Sequence, residues 1–169
     1  MIKNACLSLA VTTVLVAGVA QADEYLIQVP GIDGTSNRVG FEEYIAIEYF
    51  SLGFSRGTCR DLNFIKTMDA ASPNLTGAAV LGTSFQSIVL VGLRAGEAPF
   101  VRMRLTLTDS VFTAVSTSGS SASDLEPRDQ VSLQPSSVRI ESFEQDIQGQ
   151  SVLVATNTVV CQTPPSARR

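Results

Sequence analysis

Apolar residues recur at every second position through most of this chain. Val101, Met103, Leu105 and Leu107 alternate with Arg102, Arg104, Thr106 and Thr108, the pattern of a strand with one face in a core and the other in water. The same reading places strands at Tyr25–Val29, Asp61–Thr67, Phe85–Leu93, Gln130–Leu133, Val138–Gln145 and Ser151–Val160. Two phase slips interrupt the alternation. After Asp109-Ser110 the apolar set moves to Phe112 and Ala114 or to Val111, Thr113 and Val115, and a second slip separates Ile45 and Ile47 from Phe50, Leu52 and Phe54. Such slips predict bulges or sheet-to-sheet bends, the devices by which long strands curl around a core. Turn chemistry divides the strands at Pro30–Gly34, Arg94–Glu97 and Gln148–Gln150, and the Ser- and Gly-rich stretch Thr117–Ser123 reads as an exposed loop.

One segment has a different period. In Ala71–Gly82, Ser72 precedes Pro73, the arrangement of an N-cap followed by the first helical residue. Leu75, Ala78 and Ala79 then fall at helical spacing, and Gly82 supplies a C-terminal stop. A lone helix in a β chain must lie outside the sheets. The expected class is mainly β: a closed barrel or two-sheet sandwich with one short flanking helix, and neither a repeat nor a second domain.

The ends of the chain read differently from its middle. Lys3, the uncharged apolar stretch Ala5–Ala20 and the small residues Ala20 and Ala22 around Gln21 read as an export signal, with cleavage expected between Ala22 and Asp23. An uncleaved membrane anchor is the alternative, against which the Ser, Thr and Gly content and the cleavage site argue. Residues 163–169, with Pro164-Pro165 and no apolar pattern, read as a disordered tail. The expected organisation is a signal peptide at 1–22, one domain at 23–162 and the tail. Removing 22 of 169 residues leaves 147, enough for a single core. It also removes one of the 12 basic residues, leaving 11 against 16 acidic and a net charge of −5. That sign disfavours nucleic acid and anionic membrane surfaces as partners.

Cys59 and Cys161 remain after cleavage. In an oxidising compartment the pair reads as one disulfide, and two separate buried thiols are the alternative. The closed loop of about 100 residues would be worth at most about 4–5 kcal/mol in the chain-entropy model. Histidine is absent, which removes the commonest general base and metal ligand. No nucleotide-binding loop, nucleophile elbow or paired CxxC is present. Asp124, Glu126 and Asp129 cluster around Arg128 but lack the register of a calcium loop, so they read as an exposed, self-paired charged loop. Glu42-Glu43 reads as a strand pair facing opposite ways and unable to cooperate as acid and base. No catalytic residue, metal or cofactor is expected. An outer-membrane barrel fits poorly, because the chain has no Trp and only three Tyr to form aromatic girdles.

Several segments in fixed order carry a resemblance: Tyr25–Ser36, Ile45–Ser55, Leu62–Leu75, Leu107–Ser120 and Asp129–Leu133. Together they resemble the haemolysin-coregulated protein (Hcp) family, the tube protein of type VI secretion systems. Asp69–Leu75, matching the family's D-x-A-S-P-x-L passage into its helix, is the most specific piece. The resemblance spans roughly Glu24 to Gln145. It implies a compact barrel whose six copies form a ring, with rings stacking into a tube that can carry small effectors; it implies no catalytic residues. Three features depart from the family: the export signal, the cysteine pair, and an extension between the second and third strands shortened here to Ser55–Arg60.

The sequence therefore predicts an exported protein, periplasmic or secreted from a Gram-negative bacterium, that assembles with itself and works with effector or other secretion-system proteins. It would not insert in a membrane after cleavage. The alternative is a monomeric or oligomeric binding module that keeps the fold outside any secretion machine; a carboxylate enzyme is the third reading. Arg102 and Arg104, two residues apart on one strand, are the candidate channel or interface face.

Overall fold

The computed structural model describes residues 23–56, 58–94, 100–121 and 126–161. The expected leader, the 163–169 tail, Asp124 and parts of the Arg94–Glu97 turn and Thr117–Ser123 loop lie outside the described residues. In chain order the elements are β1 (Glu24–Gln28), β2 (Ile45–Ile47), β3 (Tyr49–Ser51), β4 (Phe54–Ser55), β5 (Thr58–Cys59) and β6 (Leu62–Thr67). Helix α1 (Ser72–Leu81) follows, and then β7 (Ser84–Arg94), β8 (Phe100–Ser118), β9 (Arg128–Gln134), β10 (Ser137–Gln145) and β11 (Ser151–Val160).

Nine strands make one antiparallel sheet, with the path β2-β1-β7-β8-β9-β6-β3, and β4-β5 form a separate small ribbon. The 19-residue β8 is the spine. One of its edges pairs with β7 from Phe100 to Val111. Its other edge changes partner: Met103–Thr108 pair with β10, and Val111–Ser118 pair with β9. The sheet thus forks at Asp109, whose φ of 45° puts it in the left-handed region that Asp tolerates better than most residues. Past the fork a bulge at Thr113 shifts the register against β9. These two features account for the phase slip after residue 109. Strand β8 also runs on through Ser118, so the start of the expected Thr117–Ser123 loop is strand. Thr117 and Ser118 pair with Asp129 and Arg128, which holds them in the ladder although their side chains are exposed.

The slip at Glu48 has a different effect. Strand β2 pairs with β1 at one end of the sheet path and β3 with β6 at the other, yet only Glu48 separates them. Its N–H donates to the Ile65 carbonyl at 2.8 Å. The expected barrel is therefore joined by a bend in the chain, and among the described residues no final strand-to-strand ladder closes it. One residue that turns between two strands cannot pair on both sides.

The inward positions fill a single core. Ile27, Ile45, Phe64, Leu90, Leu107, Val131 and Leu133 are fully buried, with Phe112 close behind, and Phe85 meets Phe112 edge-to-face at 5.5 Å. Helix α1 packs on β8 through Leu75 and Ala78. It ends as expected at Gly82, in left-handed conformation, with the Thr83 N–H returning to the Ala78 carbonyl at 3.0 Å.

On the opposite face, Leu26, Val91 and Leu93 form a smaller cluster covered by Phe41 and Tyr44. Glu42 and Glu43 lie in a turn there instead of the expected strand, because Glu43 adopts a positive φ of 69° and its carbonyl accepts the Gly34 N–H at 2.7 Å. Gly34 has no room for a side chain, since a Cβ would sit 2.2 Å from the Tyr44 carbonyl oxygen. Cys59 and Cys161 are joined by a disulfide, Cα atoms 5.0 Å apart, which ties the β4-β5 ribbon to the residue after β11.

Two glycines make opposite predictions. Gly34→Ala must displace backbone and should cost about 1–3 kcal/mol by urea denaturation. Gly77, inside α1 with nothing within 4 Å of its would-be Cβ, should gain up to about 1 kcal/mol on replacement by alanine.

Candidate functional site

Lys66 continues the inward series Leu62, Phe64, Lys66 and is as buried as its apolar predecessors. A buried ammonium costs several kcal/mol of desolvation unless it is fully paired. Here four acceptors share its three N–H groups: the Thr67 carbonyl (2.7 Å), Asp69 Oδ1 (2.6 Å), Ser72 Oγ (3.0 Å) and Asp129 Oδ2 (3.3 Å). The Ser72 hydroxyl accepts the Asp69 N–H at 3.0 Å and donates to Asp129 Oδ2, while Thr117 Oγ1 donates to Asp129 Oδ1 at 2.7 Å. The network joins β6, the start of α1, β8 and β9. Both Asp129 and Lys66 side chains have no solvent exposure; Asp69 keeps 17% and takes the excess negative charge to the surface.

Two expectations are corrected by this network. Asp129 does not belong to an exposed, self-paired loop: it is buried on Lys66, while the neighbouring Arg128 pairs with Glu48 at 3.2 Å and Glu126 is exposed. Ser72 is not the N-cap, a position that falls to Ala71. The Ser72 hydroxyl is committed to Lys66 and Asp129, and Asp69 instead accepts the Ala71 N–H at 2.9 Å. Burial alone would push the Asp129 carboxyl up, but hydrogen bonds from Ser72 and Thr117 and the Lys66 charge outweigh it and hold the group below the usual carboxylate range.

The second feature is an edge. Strand β11 pairs with β10 alone, so its other side presents unpaired backbone among the described residues. It is ten residues long, uncharged and free of Pro, and every side chain except Val159 is exposed. Val152, Leu153 and Val154 are about half exposed and Val160 is 69% exposed. Natural sheets blunt such edges with charge, proline or a cover because a bare edge recruits another chain.

An open groove of about 950 Å³ is lined by Tyr25, Phe100, Arg102, Met103 and Phe143 among others, with Val154 its one contribution from β11. Arg102 is exposed in it and pairs with Asp23 at 3.5 Å. Arg104 is engaged elsewhere, 3.7 Å from Glu141 and over the Phe143 ring at 5.2 Å. The register shift against β7, which skips Arg102, gives the two arginines different surroundings. Among the described residues no group of three or more His, Cys, Asp or Glu could hold a metal ion, and no helix is long and apolar enough to cross a membrane.

The family profile described as "Type VI secretion system effector, Hcp" matches residues 26–141. The chain belongs to the Hcp family. It is 28% identical to Hcp1 from Salmonella typhimurium, with a TM-score of 0.72 over 82% of this chain and 94% of that one. Hcp2 from the same organism is 27% identical, with a TM-score of 0.65 over 80% of this chain and 93% of that one. A structure titled as a type six secretion system protein has a TM-score of 0.73 at 21% identity, over 80% and 93% of the two chains, a likeness of fold. No curated protein matches the chain. The family assignment gives the chain a structural role in type VI secretion and not an enzymatic one, and Lys66, Asp69, Ser72 and Asp129 all fall inside the matched region.

Two predictions test the network. Lys66→Met strands a buried carboxylate and should cost about 3–5 kcal/mol, whereas Lys66→Met with Asp129→Leu should cost clearly less than the two single changes summed, by denaturation in a double-mutant cycle. Asp129 binds its proton at lower pH folded than unfolded, so its contribution is complete above the ordinary value of 3.8 and is lost as pH falls below it. Asp129→Asn should be less stable at pH 7 and show a smaller loss of stability on acidification from pH 4 to pH 2.

Proposed function

We propose that this chain is an exported Hcp ring protein, a tube-like component of type VI secretion that assembles with copies of itself, six to a ring, and takes effector or other secretion-system proteins as partners. The observation that carries the reading is the bare β11 edge. A rotational ring needs an unlike surface on each side of the subunit, and a ten-residue uncharged strand with half-exposed valines and leucine supplies one of them. The leader pattern at residues 1–22 and the cysteine pair support export to an oxidising compartment, periplasmic or extracellular. Arg102 lines the same groove as Val154 of β11, which supports a place for it at the subunit seam.

Native mass spectrometry of the protein as secreted tests the reading: a six-fold species starting at Asp23 is expected, and a concentration-independent monomer would overturn it. Val152→Lys with Val154→Lys should convert the ring to monomer with little change in thermal stability, since both side chains are already half exposed. Arg102→Glu with Arg104→Glu should weaken the ring in sizing chromatography; unchanged assembly and cargo capture would remove Arg102 from the seam.

The groove and the shortened Ser55–Arg60 connection favour a second reading, a binding module that keeps the fold without the machine. A stable monomer that retains a small ligand through purification would decide for it.

A further inference from the structure

Strand β11 is held unusually lightly for its length. Its side chains contribute almost nothing to the core: nine of ten are exposed and only Val159 is partly covered. Its attachments along the strand are the ladder to β10, itself broken by a register shift between Ser142 and Phe143 that leaves Val154 unpaired. An edge strand with little apolar burial and one hydrogen-bonded neighbour belongs to the parts of a protein that open locally at low free energy. Two further anchors act at its C-terminal end. The Cys161 N–H donates to the Ser136 carbonyl at 2.8 Å, and the Cys59 disulfide ties it to the ribbon preceding β6. Both cysteines are only partly buried, so a reductant can reach them. The bond spans 102 positions and links the end of β11 to a part of the chain with which it shares no strand pairing.

We infer that the Cys59–Cys161 disulfide is a redox clamp on β11, so that the self-association edge exists in the oxidised chain and frays in the reduced one. The inference rests on the ring reading above for the assembly it controls. The chemistry is thiol–disulfide exchange. Two cysteine thiols form the S–S bond while a disulfide donor accepts their two electrons and two protons and leaves as two thiols; a dithiol reverses the reaction and is itself oxidised to a disulfide. Before oxidation, the edge that would pair with a neighbour is not held in strand form, which keeps the chain from pairing with copies of itself on its way to an oxidising compartment.

The test is hydrogen exchange and native mass spectrometry on the full chain, oxidised and after treatment with dithiothreitol, with Cys59→Ser/Cys161→Ser as the permanently open form. Amides of residues 151–160 should exchange at least tenfold faster on reduction, those of the core at 105–107 and 131–133 should not, and the ring should dissociate. If the serine variant fails to fold, reversible reduction of the native chain gives the same readout. Unchanged exchange at 151–160 overturns the clamp whether or not rings form. Faster exchange with the ring intact overturns the control of assembly. Faster exchange in a chain that is monomeric even when oxidised upholds the clamp and tells against the ring.

Discussion

One buried cation sets the geometry of this molecule. Lys66 lies at an inward strand position where an aliphatic residue would fit the pattern, and its charge can be tolerated only if oxygen acceptors surround it. Those acceptors come from three places: the end of β6 and the residues that follow it, the first turn of α1, and β9, while Thr117 of β8 steadies the Asp129 carboxylate. A hydrophobic residue would hold the same elements by area alone and would accept many arrangements. The ammonium accepts few, because acceptor oxygens from separate elements must all lie within hydrogen-bond reach of one Nζ atom. That the pairing fixes register and helix position more than it adds net stability is the reading we favour, since buried ion pairs often gain little over apolar packing.

From that anchor the rest of the architecture follows in order. With β9 fixed on β6, the C-terminal half of β8 must pair with β9, and the remaining half is free for β10. The fork at Asp109 is where those demands meet. Strand β10 then carries β11 outward beyond the core, where no other strand pairs with it among the described residues. The well-packed half of the molecule and its bare edge are thus consequences of the same branching, one branch closing toward β3 and the other ending in the open.

Much of this was legible in the sequence. Period-two alternation located every long strand, both phase slips marked real changes of partner, and Gly82 marked the end of the helix. What alternation could not provide was partner identity. Lys66 shows why: its inward phase after Leu62 and Phe64 was a visible signal of a buried cation, but Asp129 lies 63 positions away and reads locally as one more acid in a charged stretch. Ser72 misled for a related reason. Serine before proline is a helix-cap pattern, and only the tertiary setting reveals that its hydroxyl is needed elsewhere. Strand β11 was recognised as a strand, yet its edge status depends on which strands fail to pair with it, a global property. The uncharged, two-faced apolar run Val152–Val154 was the local hint.

The packing of this chain changes along its length. The profile match ends at residue 141, and by that point the core, the Lys66 network and the forked spine are all in place. Beyond it lie the last residues of β10, strand β11 and Cys161. The disulfide crosses that division, with Cys59 inside the matched region and Cys161 outside it. The loop entropy a disulfide removes from the unfolded chain is set by loop length and not by burial, but its effect on local opening is greatest where little apolar packing holds the strand. Placed within the core it would reinforce contacts already secured by burial. Placed at the end of a solvent-exposed edge, it governs the one long strand that burial leaves loosely held.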